Sequence, residues 1–135
     1  MIVVTANGCF DNLHDGHVYF LSFCLRQGDK LVVGINTDEY ICRKKTMNMV
    51  SAEKRKQELL NLGFVDEVII FPEDDPCNFI AKVNPQIHCI GMEYKGKAIE
   101  ENFCKSRGIE IVYVPRVGGW ASSNARQKNI SSFGC

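Results

Sequence analysis

Two histidines three residues apart, His14 and His17, follow an apolar run and a glycine turn. The stretch reads Ile2-Val3-Val4-Thr5-Ala6, then Asn7-Gly8-Cys9-Phe10-Asp11-Asn12-Leu13, then His14-Asp15-Gly16-His17. A strand end, a turn and a helix start in that order make a seat for an anionic phosphate. The first helical turn offers N–H groups without intrahelical partners and the positive end of the helix dipole. Two imidazoles add donors, and the i, i+3 spacing sets both rings on one side of that turn. Gly8, Cys9, Phe10, Asp11 and Gly16 are the loop residues brought to the ligand. The plainer reading is a helix cap beside an incidental histidine pair; the strand–turn–helix context favours the phosphate site. A metal site built on Cys9, His14 and His17 is a further reading, and it lacks a nearby fourth ligand.

Other segments carry weaker signals. Arg43-Lys44-Lys45 follows the strand end Asn36-Thr37-Asp38. Three consecutive cations make either a solvated face or a mobile lid that closes over polyphosphate. Arg55 lies near the start of a helix capped by Ser51, where a cation gains nothing from the dipole, so an anionic ligand nearby would account for it. In Gly91-Met92-Glu93-Tyr94 the glycine permits close approach of a ligand and Tyr94 can flank a base or substrate; a plain turn is the alternative. Arg116-Val117-Gly118-Gly119-Trp120-Ala121-Ser122-Ser123 places hydroxyls at another helix start, as phosphate seat or as simple N-cap. No Gly-x-Gly-x-x-Gly fingerprint, P-loop or persuasively spaced Ser-His-Asp set occurs.

The elements that must position these residues alternate. Apolar runs at Ile2–Ala6, Lys30–Asn36, Glu67–Phe71, Ile87–Ile90 and Glu110–Val114 read as buried strands. Helical patterns fill the gaps: His17–Arg26, the segment from Ser51 to its stop at Gly63, Asp75-Pro76 to Val83, Ala98–Arg107, and a weak final helix from Ala121 to Asn129. Asp38–Cys42 reads as a short helical turn and Arg43–Val50 as a polar loop. Continuous apolar strands between helices mean a parallel sheet covered on both faces. Ligands of such sheets bind at the carboxyl ends of the strands, near the switch in strand order.

With 135 residues, 45% hydrophobic and 24% charged, the chain suits one globular domain with a real core. We take residues 1–130 as that domain and 131–135 as a frayed tail. Sixteen basic residues balance sixteen acidic ones, which gives no support for nucleic-acid or membrane partners. The seven cysteines show no Cys-x-x-Cys pair and read as small buried hydrophobes in a reducing, cytoplasmic setting. No secretory signal or membrane span is expected.

Gly8-Cys9-Phe10-Asp11 followed by His14-x-Gly16-His17 resembles the signature of the cytidylyltransferase-like nucleotidyltransferases, and the likeness runs over nearly the whole chain. Asn7–Asp11, Ile35–Asp38, Val65–Val68, Glu73–Pro76 and Asn84-Pro85 look most like heptose-1-phosphate adenylyltransferases. Thr37–Glu39, Lys44-Lys45, Tyr94–Lys97 and Val114–Arg116 look more like glycerol-3-phosphate cytidylyltransferases. The resemblance implies a single-domain α/β fold: a Rossmann-like, doubly wound sheet of five parallel strands with helices on both faces. It implies transfer of AMP or CMP from ATP or CTP to a small phosphorylated metabolite, with release of pyrophosphate. Mg²⁺ would arrive with the NTP, without direct protein ligands, and the enzyme would be a homodimer.

By the same resemblance His14, His17, Lys44 and Lys45 are catalytic. Gly8, Cys9, Phe10, Asp11, Gly16, Gly91, Glu93, Tyr94, Ser122 and Ser123 bind the nucleotide, and Asp38, Arg55 and Arg116 bind the substrate. Two departures stand out. The family's Ser-Thr-Thr block reads Ala121-Ser122-Ser123, one hydroxyl fewer. The heptose enzymes' Lys-Gly-Gly-Asp-Tyr reads Ile90-Gly91-Met92-Glu93-Tyr94. The alternative reading is a nucleotide-binding or regulatory module that keeps the pocket without turnover. Replacing either histidine is expected to cost activity and leave stability nearly unchanged.

Overall fold

Five apolar runs form one parallel sheet. In the computed structural model, which describes residues 1–11, 13–39 and 50–116, the strands are β1 (Val3–Gly8), β2 (Lys30–Asn36), β3 (Glu67–Phe71), β4 (Ile87–Gly91) and β5 (Glu110–Val114). The helices are α1 (Asp15–Leu25), α2 (Ala52–Leu60), α3 (Cys77–Val83) and α4 (Glu101–Ser106), with a 3₁₀ turn at Met92–Tyr94. The strand order is β3-β2-β1-β4-β5, with parallel pairing throughout. The chain therefore winds outward from β1 on one side, crosses back, and winds outward on the other. This is the doubly wound α/β architecture expected from the alternation, with the switch point between β1 and β4.

The strand period of two sorts side chains onto the two faces. Val4 and Ala6 of β1 and Leu31, Val33 and Ile35 of β2 pack in one cluster with Phe20, Leu21 and Cys24 of α1 and Leu59 of α2. Val32 of β2 and Phe71 of β3 pack in the other, with Phe79 and Ile80 of α3 and Cys104 of α4. Gly34 is the notch on this second face. A Cβ there would meet the Phe79 ring at 2.8 Å, so glycine lets that ring lie on β2 and stack against Phe71, with centroids 5.7 Å apart. Among the described residues no helix is long and apolar enough to cross a membrane.

Several boundaries differ from expectation for identifiable reasons. β1 runs two residues further, because Asn7 and Gly8 continue the ladder against Gly34 and Ile35. α1 begins two residues earlier than His17, because His14 supplies its N-cap. α3 begins at Cys77 with Pro76, not Asp75, in the N-cap position; Asp75, one residue further out, accepts the Cys77 N–H at 2.9 Å. Its end is as expected: Asn84 adopts the left-handed conformation, φ 54°, ahead of Pro85. α4 is shorter than Ala98–Arg107, since the residues before Glu101 fold as turns. The helix expected from Ala121, the tail at 131–135, the loop at 43–49 and all but two residues of the expected turn at Asp38–Cys42 lie outside the described residues.

Candidate active site

The β1–α1 connection turns on Phe10, whose φ of 49° is a left-handed conformation that an aromatic residue adopts only under constraint. The constraint is packing. The Phe10 ring is fully buried in the first core cluster and meets the His17 ring edge-on at 5.2 Å. The Phe10 side chain thus serves the bend and the core, which leaves its backbone as the part that could face a ligand.

Both histidines build the start of α1. The Gly16 N–H donates to His14 Nδ1 at 3.0 Å, and the His14 N–H donates to His17 Nδ1 at 3.3 Å, a reciprocal capping box made from two imidazoles. A nitrogen that accepts carries no proton, so each neutral ring bears its proton on Nε2. The rings lie 3.9 Å apart by centroid, tilted by 35°. Two Nε2–H donors beside the positive end of a helix dipole suit phosphate oxygens. The same arrangement opposes the metal reading: both Nδ1 atoms are engaged.

Cys24, Cys77, Cys89 and Cys104 are free thiols, as expected. Burial pushes Cys24 well above the usual thiol value, Cys77 up to about 12 and Cys104 up to about 11, so these three stay protonated and unreactive.

Arg55 is where the structure departs most from the sequence reading. Its guanidinium is completely buried. Nε donates to the Val50 carbonyl, Nη1 to the Cys9 carbonyl and Nη2 to Asp38 Oδ1, each at 3.0 Å. Asp11 Oδ1 accepts the Val50 N–H at 3.0 Å. Arg55 and Asp38 therefore spend these groups on each other and on backbone instead of presenting them to a substrate phosphate. What they do is tie the β1–α1 loop to Asp38 and Val50, the residues flanking segment 40–49. Lys44 and Lys45 fall in that segment, outside the described residues, as do Ser122 and Ser123.

Across the switch point, β1 and β4 are in register only at Val4↔Ile87 and Thr5↔His88, whereas β1 and β2 match over six pairs. Ladder pairing of the central strands thus stops short of their carboxyl ends, at the switch point beside the α1 start where ligands of such sheets bind. Gly91 ends β4 there. A Cβ on Gly91 would lie 2.9 Å from Glu93 Oε1, so the close approach that this glycine permits is made by the chain's own carboxylate. Tyr94 is half-buried, and Arg116 is exposed just past β5. Gly8, Cys9, Asp11, Gly16, His14, His17, Asp38, Gly91, Glu93 and Tyr94 all fall at this one edge of the sheet.

A buried polar chain on the second face escaped the sequence reading. Thr5 Oγ1 lies 2.8 Å from His88 Nδ1, and His88 Nε2 lies 3.1 Å from Glu100 Oε2. The order resembles a hydrolase triad, but Thr5 and His88 lie buried inside β1 and β4, away from the carboxyl ends of the strands where ligands of such sheets bind. The only sequence signal was a histidine inside an apolar strand. Glu101, adjacent to Glu100, accepts from the Tyr113 hydroxyl at 2.6 Å and from the N–H groups of Gly96 and Ala98 at 2.9 and 3.1 Å.

A parallel sheet of order 3-2-1-4-5 with donor groups gathered at its switch point is a nucleotide-binding α/β fold. The cytidylyltransferase-like family model matches residues 5–133, and the chain belongs to that family. "Bifunctional protein HldE" of Campylobacter concisus is 46% identical over 99 residues, 72% of this chain and 21% of that protein. The protein of the same name from Gluconobacter oxydans is 37% identical over 124 residues, 90% of this chain and 26% of its own length. This chain thus spans about a quarter of the length of the curated relatives it matches. A lipopolysaccharide core biosynthesis protein from Thermoplasma volcanium superposes with a TM-score of 0.70 at 29% identity, covering 87% of this chain and 97% of that one.

Proposed function

We propose that this chain transfers a nucleotidyl group from ATP or CTP to the phosphate of a small phosphorylated metabolite, with ATP and heptose 1-phosphate as the first pair to test. The resemblance of its motifs to heptose-1-phosphate adenylyltransferases supports that pair, beside its likeness to proteins named bifunctional protein HldE. A phosphate oxygen of the acceptor attacks the α-phosphorus of the NTP. The bond from the α-phosphorus to the bridging oxygen breaks, and pyrophosphate leaves. Such a step needs alignment and charge stabilisation more than a covalent nucleophile.

The observation that carries this reading is the pair of histidines locked by their Nδ1 atoms, which sets two Nε2–H donors at the start of α1. They would stabilise charge building on the phosphates, with Lys44, Lys45, Ser122 and Ser123 adding donors. Asp11 and Asp38 are engaged with Val50 and Arg55, so Mg²⁺ would be held by the triphosphate and water, shielding phosphate charge.

The test is pyrophosphate release across ATP, CTP, GTP and UTP with heptose 1-phosphate and glycerol 3-phosphate. Release with one NTP and one acceptor supports the reading. Binding without release from any pair favours a nucleotide-binding module instead.

A further inference from the structure

Glu93 holds a carboxylate oxygen, Oε2, that is buried and has no hydrogen-bond partner among the described residues. An acceptor left so is costly, and a ligand group that satisfies it recovers the cost. A carboxylate repels phosphate, so among the groups of a phosphorylated ligand it suits a neutral donor. The side chain folds back over Gly91 at the switch point between β1 and β4, beside the proposed phosphate seat.

What keeps it there lies in the following residues. Glu101 Oε2 accepts both the Tyr113 hydroxyl and the Gly96 N–H, while Oε1 accepts the Ala98 N–H. Tyr113 of β5 is the register partner of Ile90, one residue before Gly91 ends β4. The Lys95 ammonium sits 5.1 Å over the Tyr113 ring. Glu100 meanwhile holds His88 of β4. Two consecutive carboxylates thus grip the two strands flanking the segment that carries Glu93 and Tyr94.

We propose that Glu101 is a positioning residue: through Tyr113, Gly96 and Ala98 it holds residues 92–98 so that the Glu93 carboxylate accepts a hydrogen bond from a neutral donor of the ligand, a hydroxyl or an exocyclic amine. This rests on the proposed transferase function. The donor belongs either to the nucleoside of the NTP or to the hydroxyls of the phosphorylated acceptor, and the two sources are separable.

The test compares Glu101→Gln, Tyr113→Phe and Glu93→Gln in the full chain. Glutamine offers one acceptor oxygen where three donors converge, so the grip loosens. The expected result for Glu101→Gln is a rise of about tenfold in KM for one substrate with kcat held within about twofold, the pattern of lost ground-state binding. A rise for the NTP assigns the donor to the nucleoside; a rise for heptose 1-phosphate or glycerol 3-phosphate assigns it to the acceptor. Tyr113→Phe should shift the same KM in the same direction, and it carries the test if Glu101→Gln does not fold. Adding Glu101→Gln to Glu93→Gln should change that KM little further, because there is no carboxylate left to orient. Unchanged KM values for both substrates, or fully independent effects in the double variant, overturn the proposal. If the wild type releases no pyrophosphate, the transferase reading fails. Calorimetric Kd values for Mg·ATP, Mg·CTP and the two acceptors then decide the positioning role, and values matching wild type for all four overturn it.

Discussion

His14 and His17 cap α1 through Nδ1 and in the proposed site offer Nε2 to phosphate, and the two roles separate under substitution. His14→Ala removes the N-cap and the Nε2 donor together. His14→Asn keeps a side-chain acceptor for the Gly16 N–H and loses only the donor. Both variants should lose on the order of 10²-fold in kcat, the scale of one transition-state donor. Only His14→Ala should lose stability, by about 1 kcal/mol on thermal or urea unfolding. Near-full activity in His14→Asn would refute the phosphate assignment. His17 differs, because its ring is fully buried against Phe10. His17→Ala should cost stability as well as activity, about 2 kcal/mol by analogy with other buried large-to-small changes. For His17 the burial replaces the sequence-based expectation of unchanged stability, because spacing shows which side of a turn a ring occupies and not how deeply the next loop buries it. Arg55 teaches the same lesson. A cation in the first turn of α2 was legible as an oddity, but its partners, Cys9, Asp38 and Val50, converge only through the sheet order.

At the level of elements, β2, β3 and β5 were legible to the residue because each is an apolar run closed by turn or charged residues. α4 was not, because the chain before it is held by contacts that cross from β4 to β5. The Glu101 latch has its own pH signature. The Tyr113 hydroxyl bond, above all, holds the Glu101 carboxyl below its ordinary 4.5, and the same bond pushes Tyr113 from 10 up to about 12. A depressed carboxyl stabilises above its unfolded value and loses that contribution as pH falls through the folded one. A raised phenol stabilises below its unfolded value and loses it as pH climbs towards 12. The melting-temperature gap between wild type and Tyr113→Phe should therefore be widest between pH 4.5 and 10 and close on either side. A gap that is flat with pH would detach these groups from each other. On the second face, Gly34→Ala would drive a methyl into Phe79 at 2.8 Å. A ring wedged between α3 and β3 yields little, so the change should destabilise by about 1–3 kcal/mol on urea denaturation while leaving nucleotide binding intact.

For the whole molecule the open question is which base the site selects. The proposed phosphate seat draws on β1 and α1, which do not reach the base, so it would serve any NTP alike. Discrimination must come from the other side of the switch point, where β4 delivers Gly91, Glu93 and Tyr94. Glu93 accepts hydrogen bonds and, while ionised, cannot donate them. The exocyclic amine at C6 of adenine or C4 of cytosine fits such a group, whereas the carbonyl at that position of guanine or uracil does not. ATP and CTP should thus stabilise the protein more than GTP and UTP, with ATP first because more of the chain's motifs resemble the adenylyltransferases. A ligand at one hundred times its Kd adds about 2.7 kcal/mol, or about 10 °C in Tm for a domain of this size. A thermal-shift series with the four Mg·NTPs measures the order directly, and repeating it on Glu93→Gln identifies the reader. Glutamine presents both a donor and an acceptor, so the gap between amino and oxo bases should narrow. Equal shifts for all four nucleotides on the wild type would mean that the β4 segment does not read the base and that Glu93 instead faces the acceptor's hydroxyls.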